Sequence, residues 1–414
     1  MSFKDWTTYK LGDVADIQNG YAFKSNEFAT SGIPVIKIKN IVSPNISLDD
    51  AQCFDGKITD RLKQFFIKRN DILISMTGSH LNQIASAVGK VGRYQFDYPA
   101  LLNQRVGKVY VKDARVFNET YLYYFLNRLE TQIELVSSAG GSANQANISP
   151  SQIKNLKITA PDLDTQTRIA SILSSLDDKI ELNRQTNQTL EVVAQTLFKE
   201  MCVPKSEELP GGWRMEKLDS VSLLITKGTT PTTYGDKFVD YGVNFLRVDC
   251  ILDSENINLT KALFIDQSTH EKLRRSQLRE NDILVTIAGS IGRIGLVTTR
   301  VLPANTNQAI ALVRVNPTLV SSLYVYCFFK DKSTKERLLS GITQSVQANI
   351  SLADLKNLDI ILPTPEVLER FEKSVAPLME MYELLTQETQ TLIDLRDSLL
   401  PKLMKGEIEV KEAL

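Results

Sequence analysis

Apolar residues spaced alternately by four and three positions run through Ile169, Leu173, Leu176, Ile180, Asn183, Asn187, Leu190, Ala194, Leu197 and Met201. Shifted by 202 positions, the run returns as Phe371, Val375, Leu378, Tyr382, Leu385, Thr389, Leu392, Arg396, Leu399 and Leu403. That spacing is the seam of a helix lying along another helix. Neither run contains a glycine, and Pro377 and Pro401 are the only prolines within them. Each helix is expected to reach about 50 Å at 1.5 Å per residue. A rod used twice implies that whatever it carries is also used twice.

The duplication extends beyond the rods. Trp6 followed by Lys10-Leu11 returns as Trp213 followed by Lys217-Leu218. NDILISMTGS (70–79) returns as NDILVTIAGS (281–290), with six of ten positions identical. Asn103-Gln104 returns as Asn307-Gln308. ANISPSQIKNLKI (146–158) returns as ANISLADLKNLDI (348–360), eight of thirteen identical. The expected organisation is a head at 1–160, a rod at 161–202, a second head at 203–362 and a second rod at 363–414. Short β-branched runs predict strands at 33–38, 71–75, 107–111, 244–248, 283–287 and 310–315. Helices are expected at 119–136 and 320–339. Each head is then a mixed α/β domain, and the fold class is α/β with two antiparallel coiled-coil helices. Short connectors make the rods antiparallel, with facing residue numbers summing to about 572 and an approximate two-fold axis between them. Asn183 then faces Thr389 in a polar layer that fixes register at some cost in stability.

The chain carries a formal charge of −1, which suits a nucleic-acid binder only once it is divided by segment. The heads carry 19 basic against 14 acidic and 19 against 17 side chains. The rods carry 4 against 7 and 6 against 11. Basic heads suit phosphate and acidic rods suit a different partner; the plainer reading is that surface helices are simply rich in glutamate. No apolar run approaches a membrane span, and the first ten residues lack the apolar core of a signal peptide. Cys53, Cys202, Cys250 and Cys327 are scattered, as expected of free thiols in a reducing cytoplasm.

Catalytic motifs are scarce. His80 and His270 are the only histidines, each among polar neighbours, which argues against a His-based triad or a His/Cys metal site. There is no phosphate-loop motif of the G-x-x-x-x-G-K-[ST] type, and no Pro-Pro dipeptide of the kind amino-methyltransferases use. Pro161-Asp162, Asp177 and Lys179 match a nuclease spacing, but the last two fall on the first rod. The chain reads as a binder.

Arg reads guanine in the major groove, and Asn or Gln reads adenine. Such residues cluster in the polar, Gly-rich segments. The first head offers His80, Asn82, Gln83, Asn103, Gln104, Arg105, Asn144 and Gln145. The second offers Arg247, Arg293, Asn305, Asn307, Gln308, Gln344 and Gln347. Lys24, Lys37, Lys39, Lys227 and Arg300 are candidates for phosphate contact, which positions without specifying. Asn103-Gln104 and Asn307-Gln308 recur in both heads, so a turn or core role is the stronger reading for them. Asn147-Ile148-Ser149 and Asn349-Ile350-Ser351 look like helix N-caps. Different loops on one framework would read different half-sites.

These features resemble the specificity subunits of type I restriction–modification enzymes. The resemblance covers nearly the whole chain. It rests most specifically on the two runs ending in Asn-Ile-Ser…Lys-Asn-Leu, the proline after each, and LRDSLLPKLMKGEIEV at 395–410. It implies that each head is a target-recognition domain and that the rods form an antiparallel coiled coil. It implies two methyltransferase subunits docked on the rods, with two ATP-driven restriction subunits usually joining them. Those partners would bind S-adenosylmethionine, ATP and Mg²⁺, and this chain none; the complex would recognise a split, asymmetric DNA site and methylate adenine in each half. The family often has Pro-x-x-x-Glu-Gln leading into each rod; here Thr165 replaces the Glu, and the second copy, Pro363 to Glu369, lacks the Gln. Two rivals stay open. A self-sufficient methyltransferase or nuclease would turn over DNA alone, and a coiled-coil adaptor would lack salt-dependent DNA affinity.

Overall fold

The computed structural model describes residues 6–80, 88–142, 145–252, 257–340 and 349–410. It divides into two compact units, 1–180 with 390–414 and 181–389. Each unit therefore joins one head to half of each rod, which the expected head-and-rod division separates.

The rods are two 40-residue helices, Leu163–Cys202 and Pro365–Met404. At 1.5 Å per residue each spans about 60 Å. Their seam packs as the spacing predicts: Ile169, Leu173, Ile180, Phe371, Val375, Tyr382 and Leu403 are buried, and Leu176, Leu190, Leu197, Leu378, Leu385, Thr389, Leu392 and Leu399 are half-buried. Within the second unit, Asn183 Nδ2 donates to Glu388 Oε2 at 2.8 Å and Asn187 Nδ2 to Thr386 Oγ1 at 3.1 Å. Within the first, Arg396 Nη1 reaches Asp177 Oδ1 at 2.8 Å. These pairs run antiparallel and keep the expected register to within about one residue. Asn183, 1% exposed, meets Glu388 instead of Thr389, so the polar layer is wider than the single expected pair.

Both heads place an antiparallel sheet under a short helix. In the first, strand Val106–Val111 lies between Ala15–Asn19 and Ile72–Ser75. In the second, Ile310–Val315 lies between Ser222–Lys227 and Ile283–Thr286. The expected long helices are each broken in two, giving Glu119–Leu126 with Leu129–Ser138 and Ser322–Lys330 with Lys332–Ser340. Six consecutive buried residues, 121–126 and 324–329, plug each first helix into the core, and the chain must then turn. Asp331 makes that turn in the second head, its carboxylate accepting from Ser333 N at 2.9 Å.

The repeated runs are framework. Among the described residues, Asn70 and Asn281 are the non-glycine residues with positive φ, 73° and 68°. The following aspartates accept from the backbone N–H three residues earlier, Lys68 at 2.9 Å and Arg279 at 2.6 Å. Each is also paired with a cation of the neighbouring strand, Lys108 or Arg314, at 2.7 Å. Ser149 and Ser351 cap the helices Pro150–Lys154 and Leu352–Lys356, and Gln152 and Asp354 complete both capping boxes.

Candidate nucleic-acid interface

In each unit hydrogen bonds draw the same loops together. In the first, Gln104 N donates to Tyr21 O at 2.9 Å and Asn103 N to Ile36 O at 3.2 Å. The turn at 103–105 is thereby fixed beside the loop that starts at Gly20 and the short helix Ile38–Asn40. In the second, Asn307 N donates to Leu246 O at 3.3 Å and Thr229 N to Thr306 O at 3.2 Å, and the Thr230 hydroxyl bonds Gln308. Gly20 and Gly228 permit this approach, because a Cβ on either would collide with a carbonyl oxygen, of Asn103 or Thr306.

Matching cations stand at the clusters. Lys37 and Arg247 both precede a short helix, Ile38–Asn40 or Val248–Cys250. Both backbone amides are held by the residue three positions on, Asn40 Oδ1 at 2.9 Å and Cys250 Sγ at 3.4 Å. Lys37 lies over the Phe28 ring, 3.3 Å from its centroid, and burial with Lys39 nearby lowers its pKa. Arg247 is oriented by Asp249 at 2.8 Å. A second matched pair is Lys90 and Arg293, each after a glycine at φ 83°. Their amides donate at 2.9 Å to Ser75 Oγ and Thr286 Oγ1. Lys90 escaped the sequence analysis, although its repeat mate Arg293 pointed to it.

Other residues differ between the heads. Arg105 is exposed and reaches Thr77 Oγ1 at 3.3 Å and Asn147 Oδ1 at 3.4 Å. Beside it strand Gln145–Asn147 pairs with Thr77–Gly78 and presents Gln145 to solvent. Gln104, Gln308, Lys24 and Lys227 are exposed, His80 is half-buried, and Lys39 is exposed and paired with Asp50 at 2.7 Å. Asn82, Gln83, Asn144, Gln344 and Gln347 lie outside the described residues.

Two expected contacts are corrected. Asn305 is fully buried and donates to Leu273 O at 3.0 Å and Ser276 Oγ at 3.2 Å, so it is a core residue. Arg300 is turned to the second long helix, 3.0 Å from Glu383, and is unavailable to phosphate. Asn103 is buried and shapes its turn, as does Asn307: the carbonyls accept from Val106 N at 2.9 Å and Ile310 N at 3.3 Å.

Among the described residues there is no cluster of His, Cys, Asp and Glu able to hold a metal ion. Nor is any helix among them long and apolar enough to cross a membrane. Asp177, from the nuclease-like spacing, is engaged by Arg396 and by the Tyr124 hydroxyl at 2.6 Å.

The family model described as "Type I restriction modification DNA specificity domain" matches residues 3–192 and again 210–391. The chain belongs to this family. Its relatives include the EcoBI specificity subunit of Escherichia coli, 24% identical over 97% of this chain and 86% of that one. The MjaIX specificity subunit of Methanocaldococcus jannaschii is 25% identical over 99% and 95%. The crystal structure of a type I specificity (S) subunit from M. genitalium shares the fold, with a TM-score of 0.57 at 17% identity over 96% of both chains. It therefore carries two copies of the family's domain, with shared framework and different side chains.

Proposed function

We propose that this chain is the non-catalytic DNA-specificity subunit of a type I restriction–modification complex and reads a bipartite, asymmetric site through its two heads. The observation that carries the reading is the duplicated loop cluster. Lys37 and Arg247 occupy matched positions on matched turns, while Arg105 of the first head stands where the second has Ala309, and Thr230 of the second stands where the first has Ala22. Matched cations suit the phosphates that position a reader, and unlike neighbours suit unlike base edges.

Two methyltransferase subunits are the partners the long helices suit. Leu182 and Leu384 occupy equivalent repeat positions and are 56% and 60% exposed. Val193 and Leu395 are likewise equivalent and exposed. Apolar side chains repeated on an otherwise acidic surface suit two copies of one partner. S-adenosylmethionine belongs to those subunits, and ATP and Mg²⁺ to a restriction subunit where one joins; such a complex works in the cytoplasm.

The test is co-expression with the system's methyltransferase subunit, followed by mapping methylated adenines across the host genome. A single split motif with unlike halves is expected. Turnover by the purified chain alone, given S-adenosylmethionine or Mg²⁺ and DNA, would contradict the non-catalytic role.

A further inference from the structure

Among the described residues, the second head is held on its helices by apolar packing and two shielded ion pairs, with a looser pair, Lys199 to Asp331 at 4.0 Å, beside them. The three closer attachments differ in kind. The first is apolar: Tyr324 of the head meets Phe198 and Phe371 of the two long helices, with ring centroids 5.4 and 6.0 Å away. This contact is part of a broader core in which Ala194, Cys202, Val375 and Tyr382 of the helices also meet the head. Apolar contact, not being directional, leaves the fine angle to the polar contacts. The second is Lys330, whose Nζ lies 2.6 Å from Glu191 Oε1 on the first long helix. The Tyr326 hydroxyl donates to the same oxygen at 3.0 Å. The third is Arg300, whose Nε lies 3.0 Å from Glu383 Oε1 on the second long helix, with the Thr298 hydroxyl at 2.9 Å. Arg300 Nη2 donates to Ile257 O at 2.9 Å, which ties the guanidinium to its own head.

Both ion pairs are largely shielded from water, with side-chain exposures of 9% and 18% for Lys330 and Glu191 and 17% and 16% for Arg300 and Glu383. Such pairs add little net stability, because desolvation offsets their attraction. Charge-assisted hydrogen bonds do constrain direction. The first unit uses different groups: Asp177 is held by Arg396 of the other long helix, and the head contributes the Tyr124 hydroxyl. Folding of the repeat thus does not require cations from the head.

We propose that Arg300 and Lys330 are positioning residues, fixing through Glu383 and Glu191 the angle of the second head on its helices and hence the spacer length the protein accepts. This rests on the DNA-reading function proposed above. The test uses the full-length chain in complex with its methyltransferase subunit. Affinity is measured for duplexes carrying the mapped half-sites at the native spacer and at spacers one base pair shorter and longer. The wild type should favour the native spacer by at least about tenfold. The paired variants Arg300→Met/Glu383→Leu and Lys330→Met/Glu191→Leu leave no buried charge alone, so they should melt no lower than wild type. Their preference should fall to about threefold or less. The exchange Arg300→Glu/Glu383→Arg should restore part of it. Folded paired variants that keep the full preference would overturn the positioning role alone. A wild type without sequence preference would overturn that role together with the proposed function.

Discussion

The two heads share their framework and differ at the surface. In both, an Asn in the left-handed region precedes an Asp that closes the turn, and a Ser caps a short helix. In both, the first tyrosine of the plugged helix bonds a matching carbonyl, Tyr121 to Thr159 at 3.5 Å and Tyr324 to Ile361. The surfaces part company beside the shared turn, where the first head has Arg105 against Thr77 and Asn147 and the second has Ala309, and where Thr230 of the second replaces Ala22 of the first. Repetition therefore marks what the fold needs, and divergence marks what a half-site can select.

That division can be broken or sharpened by experiment. The largest effect is expected in the framework. Leu73→Ala and Leu284→Ala remove equivalent, fully buried side chains, and each should cost about 2–5 kcal/mol. Denaturant melts should place the two costs close together; a small cost in only one head would show that the cores are not equivalent. Next come the readers. Arg105→Ala should weaken or relax recognition of one half-site by about 1–3 kcal/mol and leave the other unchanged. Arg247, expected from its residue type to read a base, matches Lys37 in position, so Arg247→Ala should weaken binding to the other half with little change in the bases selected. Binding to a panel of half-site variants checks both. The smallest effect belongs to the caps: Ser149→Ala and Ser351→Ala should each cost about 1 kcal/mol, and equally.

Much of the fold was legible in the sequence because repetition supplies an internal comparison. The seam positions, the antiparallel register and the two Ser caps all follow from residues that recur. The breaks at Asn127 and Asp331 were not legible, since each closes an apolar stretch and opens a more polar one with no proline or glycine to mark the stop. Gln166 was seen only as part of a family motif. It is 1% exposed and joins head to helix, accepting from Asn118 N and donating to Pro161 O, both at 2.9 Å.

The site was legible in part. Lys37, Arg247, Arg105, Gln104 and Gln308 fall at the loop clusters. Asn305 and Arg300 do not, because residue type says nothing about which way a side chain turns. Burial took Asn305 into the core, and Glu383, distant in sequence, took Arg300. Lys90 was missed although Val-Gly-Lys-Val-Gly repeats as Ile-Gly-Arg-Ile-Gly, because eight more residues separate it from the shared run that precedes both.

The most direct measurement of the central claim is a head exchange. Residues 1–160 are replaced by the corresponding head of another family member, and methylated adenines are mapped with the same methyltransferase subunit. The account predicts that one half of the recognised motif changes while the other half and the spacer stay as they were. A change in both halves would contradict it.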